Sequence, residues 1–488
     1  MKNLVFLFNA IDFTQLLFVL LHYTKISPIW RMISRYYILC EVRRGLYVKK
    51  RKVNFENYKK LFVINNIDFG SETWDFNCNT YQIDDVLGGK FNKYDYTLGI
   101  VLCHMEWVFS FKQFNDDIIN KVLRFVEKYQ FDAHFQQTTA RNQRIYSLIF
   151  LDQMCESRLI TKLLVKEIET LLLNTEEHVW GNHIIDNYLA LLVAARIYEL
   201  DGLQRFSEHK LLYLIKPIVF QGYYPEMNPV YQGILYEKFK ILLQITDHYR
   251  SCYPVFVKMA DMLIQYPNVV VNDCYLPLSV LPSGNTEECP YACTLKVANC
   301  VVTVVKDYLP NRNYRAHYHD CSGALFLYQR GKPVIAGPGT GSYAAGLDRD
   351  DLRSGTWYPK PRLSQTEGLV LRPYGSFRFT KFPNKRNRHT LVNTRIDNGW
   401  HEFQFESGDL SYSWRLFSAN SAIIELISNA EITFRFYSAF TRDSLIQDYS
   451  LEFDGSWEYE SSTIFDGLNN GVSGYRHEIR TTSFRIEL

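Results

Sequence analysis

The chain has 488 residues, a formal net charge of +2, 47% hydrophobic residues and 22% charged ones. That length exceeds one ordinary core and predicts at least two domains. The composition is that of a soluble globular protein, not a disordered or collagen-like one. The near-neutral charge argues against a dedicated nucleic-acid binder, which presents a strongly basic face.

In chain order, residues 4–21 are mostly apolar, but Asn9, Asp12 and Gln15 recur at every third position. This places the polar residues on one helical face and predicts an amphipathic helix, unlike an integral membrane span. No small-residue cleavage site follows, so the expectation is a chain without a secretory signal. The cytoplasm is then the expected compartment, with the periplasm as the alternative. Arg31, Arg35, Arg43 and Arg44 follow at roughly helical spacing. They predict a helix that either packs against a domain or makes a peripheral contact with a lipid surface.

Residues 1–110 read as a helical segment, including Tyr94–Phe109, leading into the first domain. From about 115 to 265 the pattern is helical. Leu159, Ile160, Leu163, Leu164, Ile168, Leu171 and Leu172 form one amphipathic stripe, and further runs span Asn187–Leu200 and Ile234–Ile245. Successive amphipathic helices on short links predict stacked helical hairpins.

Near residue 270 the pattern changes. Pro277, Pro282, Ser283 and Gly284 punctuate a loop, and beyond it the period becomes 2. Ile432, Phe434 and Phe436 alternate with polar residues, as do Phe484, Ile486 and Leu488; Phe403 with Phe405 and Leu451 with Phe453 are shorter examples. Asp454-Gly455 and Asn469-Asn470-Gly471 read as turns between strands. The second half is therefore expected to be an antiparallel β-sandwich. The ten cysteines are scattered, Cys289 and Cys293 lack a second pair at zinc-like spacing, and the expected state is mostly free thiols in a reducing compartment.

Three segments carry residues suited to chemistry. In Trp180-Gly181-Asn182-His183-Ile184-Ile185-Asp186-Asn187, Asn182 and His183 would open a helix, where backbone N–H groups favour an anion such as a substrate carboxylate. The alternative is an N-cap Asn with a buried His beside it. The Gly- and Pro-punctuated stretch Gln221–Tyr231 carries Glu226 and Tyr231 and reads as a loop that can line a cleft. Arg315-Ala316-His317-Tyr318-His319-Asp320 holds the one close histidine pair among twelve histidines. In a strand both imidazoles share a face, a spacing compatible with a metal or with acid–base work.

Together these segments resemble the heparinase II/III family of polysaccharide lyases. Gly181-Asn182-His183-Ile184-Ile185-Asp186 is similar to the family's N-H-x-x-E/N signature, and Gln221–Gln232 to a stretch with Glu226, Pro229 and Tyr231 in place. His317-Tyr318-His319, Gly331-Lys332-Pro333 and Pro338-Gly339-Thr340-Gly341-Ser342-Tyr343 follow in the family's order, and Lys25–Arg31 is similar to its first helices. The resemblance implies an α+β multidomain fold, an incomplete (α/α) toroid followed by an antiparallel β-sandwich. The expected divisions are an N-terminal helical segment over 1–110, the toroid over 111–270 and the sandwich over 271–488.

The function implied is cleavage beside a uronic acid by β-elimination in an interdomain cleft, with an acidic polysaccharide or oligosaccharide as substrate. The C5 proton is barely acidic until the neighbouring carboxylate is neutralised. By matched position, Asn182 and His183 would do this, Tyr231 would protonate the leaving oxygen, and His317 would be the alternative base. Trp180, Asp186, Glu226, Arg315, His319 and Tyr343 would line the substrate site. Members of this type without a signal are associated with production of bacterial surface polysaccharide.

Two departures stand out. Gly337 replaces the Asp before Pro-Gly-Thr, and Arg353-Ser354-Gly355-Thr356-Trp357-Tyr358-Pro359 replaces a run that holds a His. His319 would then be the one remaining ligand of the family's β-domain zinc, so no metal and no cofactor is expected. Two other functions fit the sequence less well. One is a non-catalytic glycan-binding or assembly protein on the same scaffold. The other is a glycoside hydrolase using Asp186 and Glu226 as a carboxyl pair.

Overall fold

The computed structural model describes residues 31–47, 73–76, 79–88, 96–177, 181–221, 235, 238, 288–289, 292–297, 300–306, 321–330, 332–338, 358–363, 389–418, 422–465 and 471–487. Described residues up to Lys238 belong to one compact unit and those from Glu288 on to another. The expected boundary between residues 270 and 271 lies outside them.

The first unit is helical. It comprises α1 (Tyr36–Gly45), a two-stranded hairpin of β1 (Thr73–Phe76) and β2 (Asn79–Gln82), α2 (Ile83–Gly88), α3 (Tyr96–Leu102) and a 3-10 turn over Glu106–Ser110. Then come α4 (Asp116–Tyr129), α5 (Ala133–Gln136), α6 (Thr138–Cys155), α7 (Arg158–Leu173), α8 (Asn182–Ile197) and α9 (Asp201–Gln221). Helix α4 starts where Asn115 Oδ1 accepts from the Ile118 N–H, with Asp116 and Asp117 in the first turn. The expected stripe on α7 is buried at Ile160, Leu163, Leu164, Ile168, Leu171 and Leu172, but Leu159 is 54% exposed and stands one step off it.

Helices α6 and α7 form one hairpin and α8 and α9 another, turning at Glu156 and Glu199 in the left-handed conformation. Helix α6 also packs on α8, and α1 packs on α7 and α9. The run Ile234–Ile245 is described only at Leu235 and Lys238.

Helix α6 is buried along every residue from Ala140 to Asp152, although it carries Arg141, Arg144 and Asp152. The fully buried Arg144 donates to the carbonyls of Cys103 (2.9 Å) and Phe135 (3.0 Å) and to Glu167 (2.8 Å), and lies 3.6 Å over the Phe135 ring. Arg141 reaches the same Glu167 oxygen at 3.0 Å. Burial alone would raise the Glu167 carboxyl, but Arg144 and Arg141 hold it below the usual carboxylate range. This charged knot ties α5, α6, α7 and the chain after α3 together.

The second unit is antiparallel β. Its smaller sheet runs in the order β3 (Glu288–Cys289), β4 (Ala292–Val297), β5 (Cys300–Val305), β6 (Leu325–Gln329) and β7 (Lys332–Ile335). The seven-stranded sheet holds β8 (Pro361–Leu363), β9 (Thr390–Asp397), β10 (Trp400–Ser407), β11 (Leu410–Ser418), β12 (Ala422–Ser438), β13 (Glu452–Phe465) and β14 (Gly471–Glu487). Its order is β13-β14-β12-β11-β10-β9, with β8 paired to the second half of β12. A short helix, α10 (Arg442–Tyr449), packs on β14.

The two sheets share one core. Val302, Val304, Leu325 and Leu327 come from the smaller sheet, and Phe403, Phe405, Trp414, Phe434, Phe436, Phe484 and Ile486 from the larger. The alternation read from Ile432, Phe434 and Phe436 is realised, all three being fully buried. Ala336 and Tyr437 exchange backbone hydrogen bonds of 2.9 Å between the sheets.

One expected turn is not a turn. Asp454-Gly455 lies inside β13, at a bulge opposite β14. Asp454 accepts from the backbone N–H groups of Thr482 (3.0 Å) and Ser483 (2.9 Å), and from the Thr481 hydroxyl. Gly455 has φ 154°, and a Cβ there would sit 1.9 Å from the Arg480 carbonyl oxygen. The residue types that favour turns serve a bulge equally well. The second turn signal, Asn469-Asn470-Gly471, falls between β13 and β14, which pair from Phe465↔Gly471 onward. Among the described cysteines, Cys40, Cys103, Cys155 and Cys300 are free thiols.

Candidate functional site

The candidate site begins at the first turn of α8. Gly181 enters the helix with φ 105° and ψ −154°, a conformation that a side chain would strain. Asn182 and His183 therefore occupy the first two helical positions, as their place in the sequence implies. The cap position belongs to Gly181, so Asn182 is not an N-cap. Nor is His183 buried, its side chain being 34% exposed. The unpaired N–H groups and dipole of this helix end favour a negative charge beside both residues.

Behind that turn, Asn187 forms a clip. Its amide donates to the His183 carbonyl (2.7 Å), and its oxygen accepts from the Glu176 backbone N–H (2.7 Å). The α7–α8 connection is thereby fastened to the first turn of α8. Next to it, Glu177 is a charged hub. Arg31 (3.0 Å), Arg35 (3.3 Å) and Lys210 (3.2 Å) all reach its carboxylate, and the Tyr188 hydroxyl donates to it at 2.6 Å.

Burial alone would push the Glu177 carboxyl up. Lys210, Arg31, the Tyr188 hydroxyl and Arg35 together pull it down to about 2. Burial and Glu177 hold the Tyr188 phenol above its ordinary value, so it remains a donor. Arg31 and Arg35 also bond the carbonyls at the end of α7, Leu173 at 3.1 Å and Leu172 more closely, and Arg35 reaches the Thr175 hydroxyl at 3.2 Å.

These contacts divide the arginine series into two pairs. Arg31 and Arg35 are buried packing residues, whereas Arg43 and Arg44 are exposed. No described helix is long and apolar enough to cross a membrane.

Asp186 is buried and paired. It is 7% exposed, and Lys238 Nζ lies 2.7 Å from both carboxylate oxygens. Its charge is committed to Lys238. Trp180, Glu226, Tyr231, Arg315, His317, His319 and Tyr343 lie outside the described residues. Glu176, Glu177, Asn187 and Lys238 are site residues that the sequence did not single out. One local signal was available, since Asn187 stands one helical turn beyond His183.

The expectation concerning the β-domain metal meets the structure at Gly337 and Tyr358. A Cβ at Gly337 would lie 2.9 Å from the Tyr358 ring, which is 1% exposed. An Asp side chain does not fit there, and the position does not suit the family's zinc. A groove of about 890 Å³, lined in part by Tyr36, Arg44, Arg196 and Gln204, opens at the opposite end of α8. At 1.5 Å per residue this is roughly 24 Å from Asn182, and we assign it no part in the chemistry.

No family model matches the sequence, and no curated protein matches it either. Solved structures do match. A mutant of the heparan sulfate lyase HepC from Pedobacter heparinus superposes with a TM-score of 0.51 at 10% identity, covering 94% of this chain and 88% of that one. A heparinase III gene product superposes with a TM-score of 0.51 at 12% identity, covering 89% and 84%. The chain therefore shares the fold of these two polysaccharide lyases over most of its length.

Proposed function

We propose that the chain is a polysaccharide lyase that breaks a glycosidic bond next to a uronic acid by β-elimination, its helical hairpins forming part of an (α/α) toroid. The observation that carries this reading is the first turn of α8. There Asn182 and His183 stand partly exposed at a helix N-terminus fastened from behind by Asn187, which ties the His183 carbonyl to the Glu176 backbone. An amide donor and an imidazole at a helix N-terminus suit the task of neutralising a uronate carboxylate as charge develops at C5. Asn182 donates a hydrogen bond to that carboxylate and His183 offsets its charge. Tyr231 delivers a proton to the leaving oxygen, and His317 is the alternative base. A neutral phenol with an ordinary pKa near 10 is a good acid but a poor base at neutral pH.

The likeness in fold to the two lyases supports this assignment, as does the order of motifs along the chain. The hydrolase reading loses one of its two carboxyl groups, because Asp186 is buried against Lys238. Loss of one preorganised donor costs about 100- to 1000-fold in kcat. Asn182→Ala and Tyr231→Phe are each expected to lose that much with an unchanged melting temperature. Normal turnover in either variant overturns the role assigned to that residue.

A further inference from the structure

Glu176 is neither donor, acid nor base in the proposed elimination, yet it touches the site. Its Oε2 lies 3.3 Å from His183 Nδ1, with its side chain 7% exposed and that of His183 34% exposed. Both backbones are set by one amide, since Glu176 N–H donates to Asn187 and Asn187 donates to the His183 carbonyl, each at 2.7 Å. The other charges around this turn are committed elsewhere. Asp186, on α8 itself, pairs with Lys238. Glu177, from the α7–α8 connection, pairs with Arg31 and Arg35 beside α1 and with Lys210 on α9.

We propose that Glu176 is a positioning residue: its buried carboxylate, 3.3 Å from the ring, keeps His183 protonated so that a cation faces the carboxylate of a substrate uronate. This deepens the lyase reading and rests on it. A carboxylate within about 4 Å favours the charged form of its neighbour. The contact is an ion pair by distance without hydrogen-bond alignment, so the carboxylate acts on the ring through its charge. An anionic substrate then meets a fixed cation, where a neutral imidazole would offer a single hydrogen bond.

Two measurements on the intact chain test this. In the first, kcat/KM is followed against pH. The alkaline limb, where His183 loses its proton, moves down by about 1 unit or more in Glu176→Gln, and Glu176→Asp restores part of the shift. In the second, the His183 imidazole is titrated by NMR in the absence of substrate, its signal assigned by its loss in His183→Gln. Its midpoint falls in Glu176→Gln by a similar amount.

An unmoved midpoint overturns the proposal. Because the titration needs no turnover, it remains decisive even where no lyase substrate is found. Release of sugar by the wild type without a new C4–C5 double bond removes the lyase reading and leaves the Glu176–His183 pair standing. If Glu176→Gln does not fold, Glu176→Asp serves alone, with a smaller midpoint shift in the same direction expected and no shift overturning the idea.

Discussion

The two units are stabilised by different means. The helical unit threads ion pairs through its interior: Arg144 and Arg141 on Glu167, Lys238 on Asp186, and three cations on Glu177. The β unit buries a nearly continuous aromatic and aliphatic core, with Trp414, Phe434 and Phe484 at its centre and Trp414 Nε1 donating to the Gly323 carbonyl at 2.9 Å. Apolar packing is non-directional and tolerates rearrangement of similar volume. Buried ion pairs cost desolvation, but they demand one geometry and one set of partners. In this molecule the charged knots lie where loops are fastened, and the one at Glu177 holds the α7–α8 connection that leads to the turn carrying Asn182 and His183.

The largest effect should come from cutting the deepest knot. Arg144→Met leaves Glu167 buried with Arg141 alone and frees two buried carbonyls. It should cost about 3–5 kcal/mol in denaturant unfolding and abolish activity with it. Phe434→Ala should cost a similar amount, about 3–5 kcal/mol, but through a cavity in the β core. Phe434→Leu should recover much of that loss, whereas Arg144→Lys should recover little, because a lysine cannot make the same fork of bonds. Equal recovery in the two cases would mean that the two cores are equally tolerant.

A middle-sized effect concerns pH. In the β unit, His477 is fully buried, accepts from Trp457 Nε1 at 3.2 Å and stands 3.1 Å from the Phe440 carbonyl. Burial lowers its pKa to about 4 from an ordinary 6.5. The folded state thus binds fewer protons than the unfolded state between those values, and stability falls as pH falls. The contribution is complete above pH 6.5 and is lost progressively towards pH 4, amounting to about 3 kcal/mol at most. Calorimetry of His477→Gln should show a flatter dependence across that window. Over the same range the Glu177 hub stays ionised, its carboxyl being held at about 2.

The smallest effect belongs to the surface of the bulge. Asp454→Ala removes hydrogen bonds from Thr481, Thr482 and Ser483. In an exposed position this should cost about 1 kcal/mol, measurable as a shift in the urea midpoint.

The same contrast governs what could be read from the sequence. Periodic burial was legible, as in the α7 stripe and the alternation of Ile432, Phe434 and Phe436. Helix α6 was not, because Arg141, Arg144 and Asp152 look like surface residues until their partners are seen. Asp454-Gly455 misled because a bulge and a turn call for the same residue types. The opening of α8 was legible from Gly181-Asn182-His183. Its support was not, because Arg31 and Lys210 lie 146 and 33 residues from Glu177 and no local spacing reveals them.

Whether the first turn of α8 serves elimination next to a uronic acid can be measured by ultraviolet absorbance. Wild type and Asn182→Ala are each incubated with a panel of uronate-containing polysaccharides. Elimination leaves a C4–C5 double bond conjugated to the carboxylate, and hydrolysis leaves none. Rising absorbance is expected in the wild type and almost none in the variant. Release of sugar without absorbance, or an equal rise in both proteins, would contradict the role of that turn in elimination.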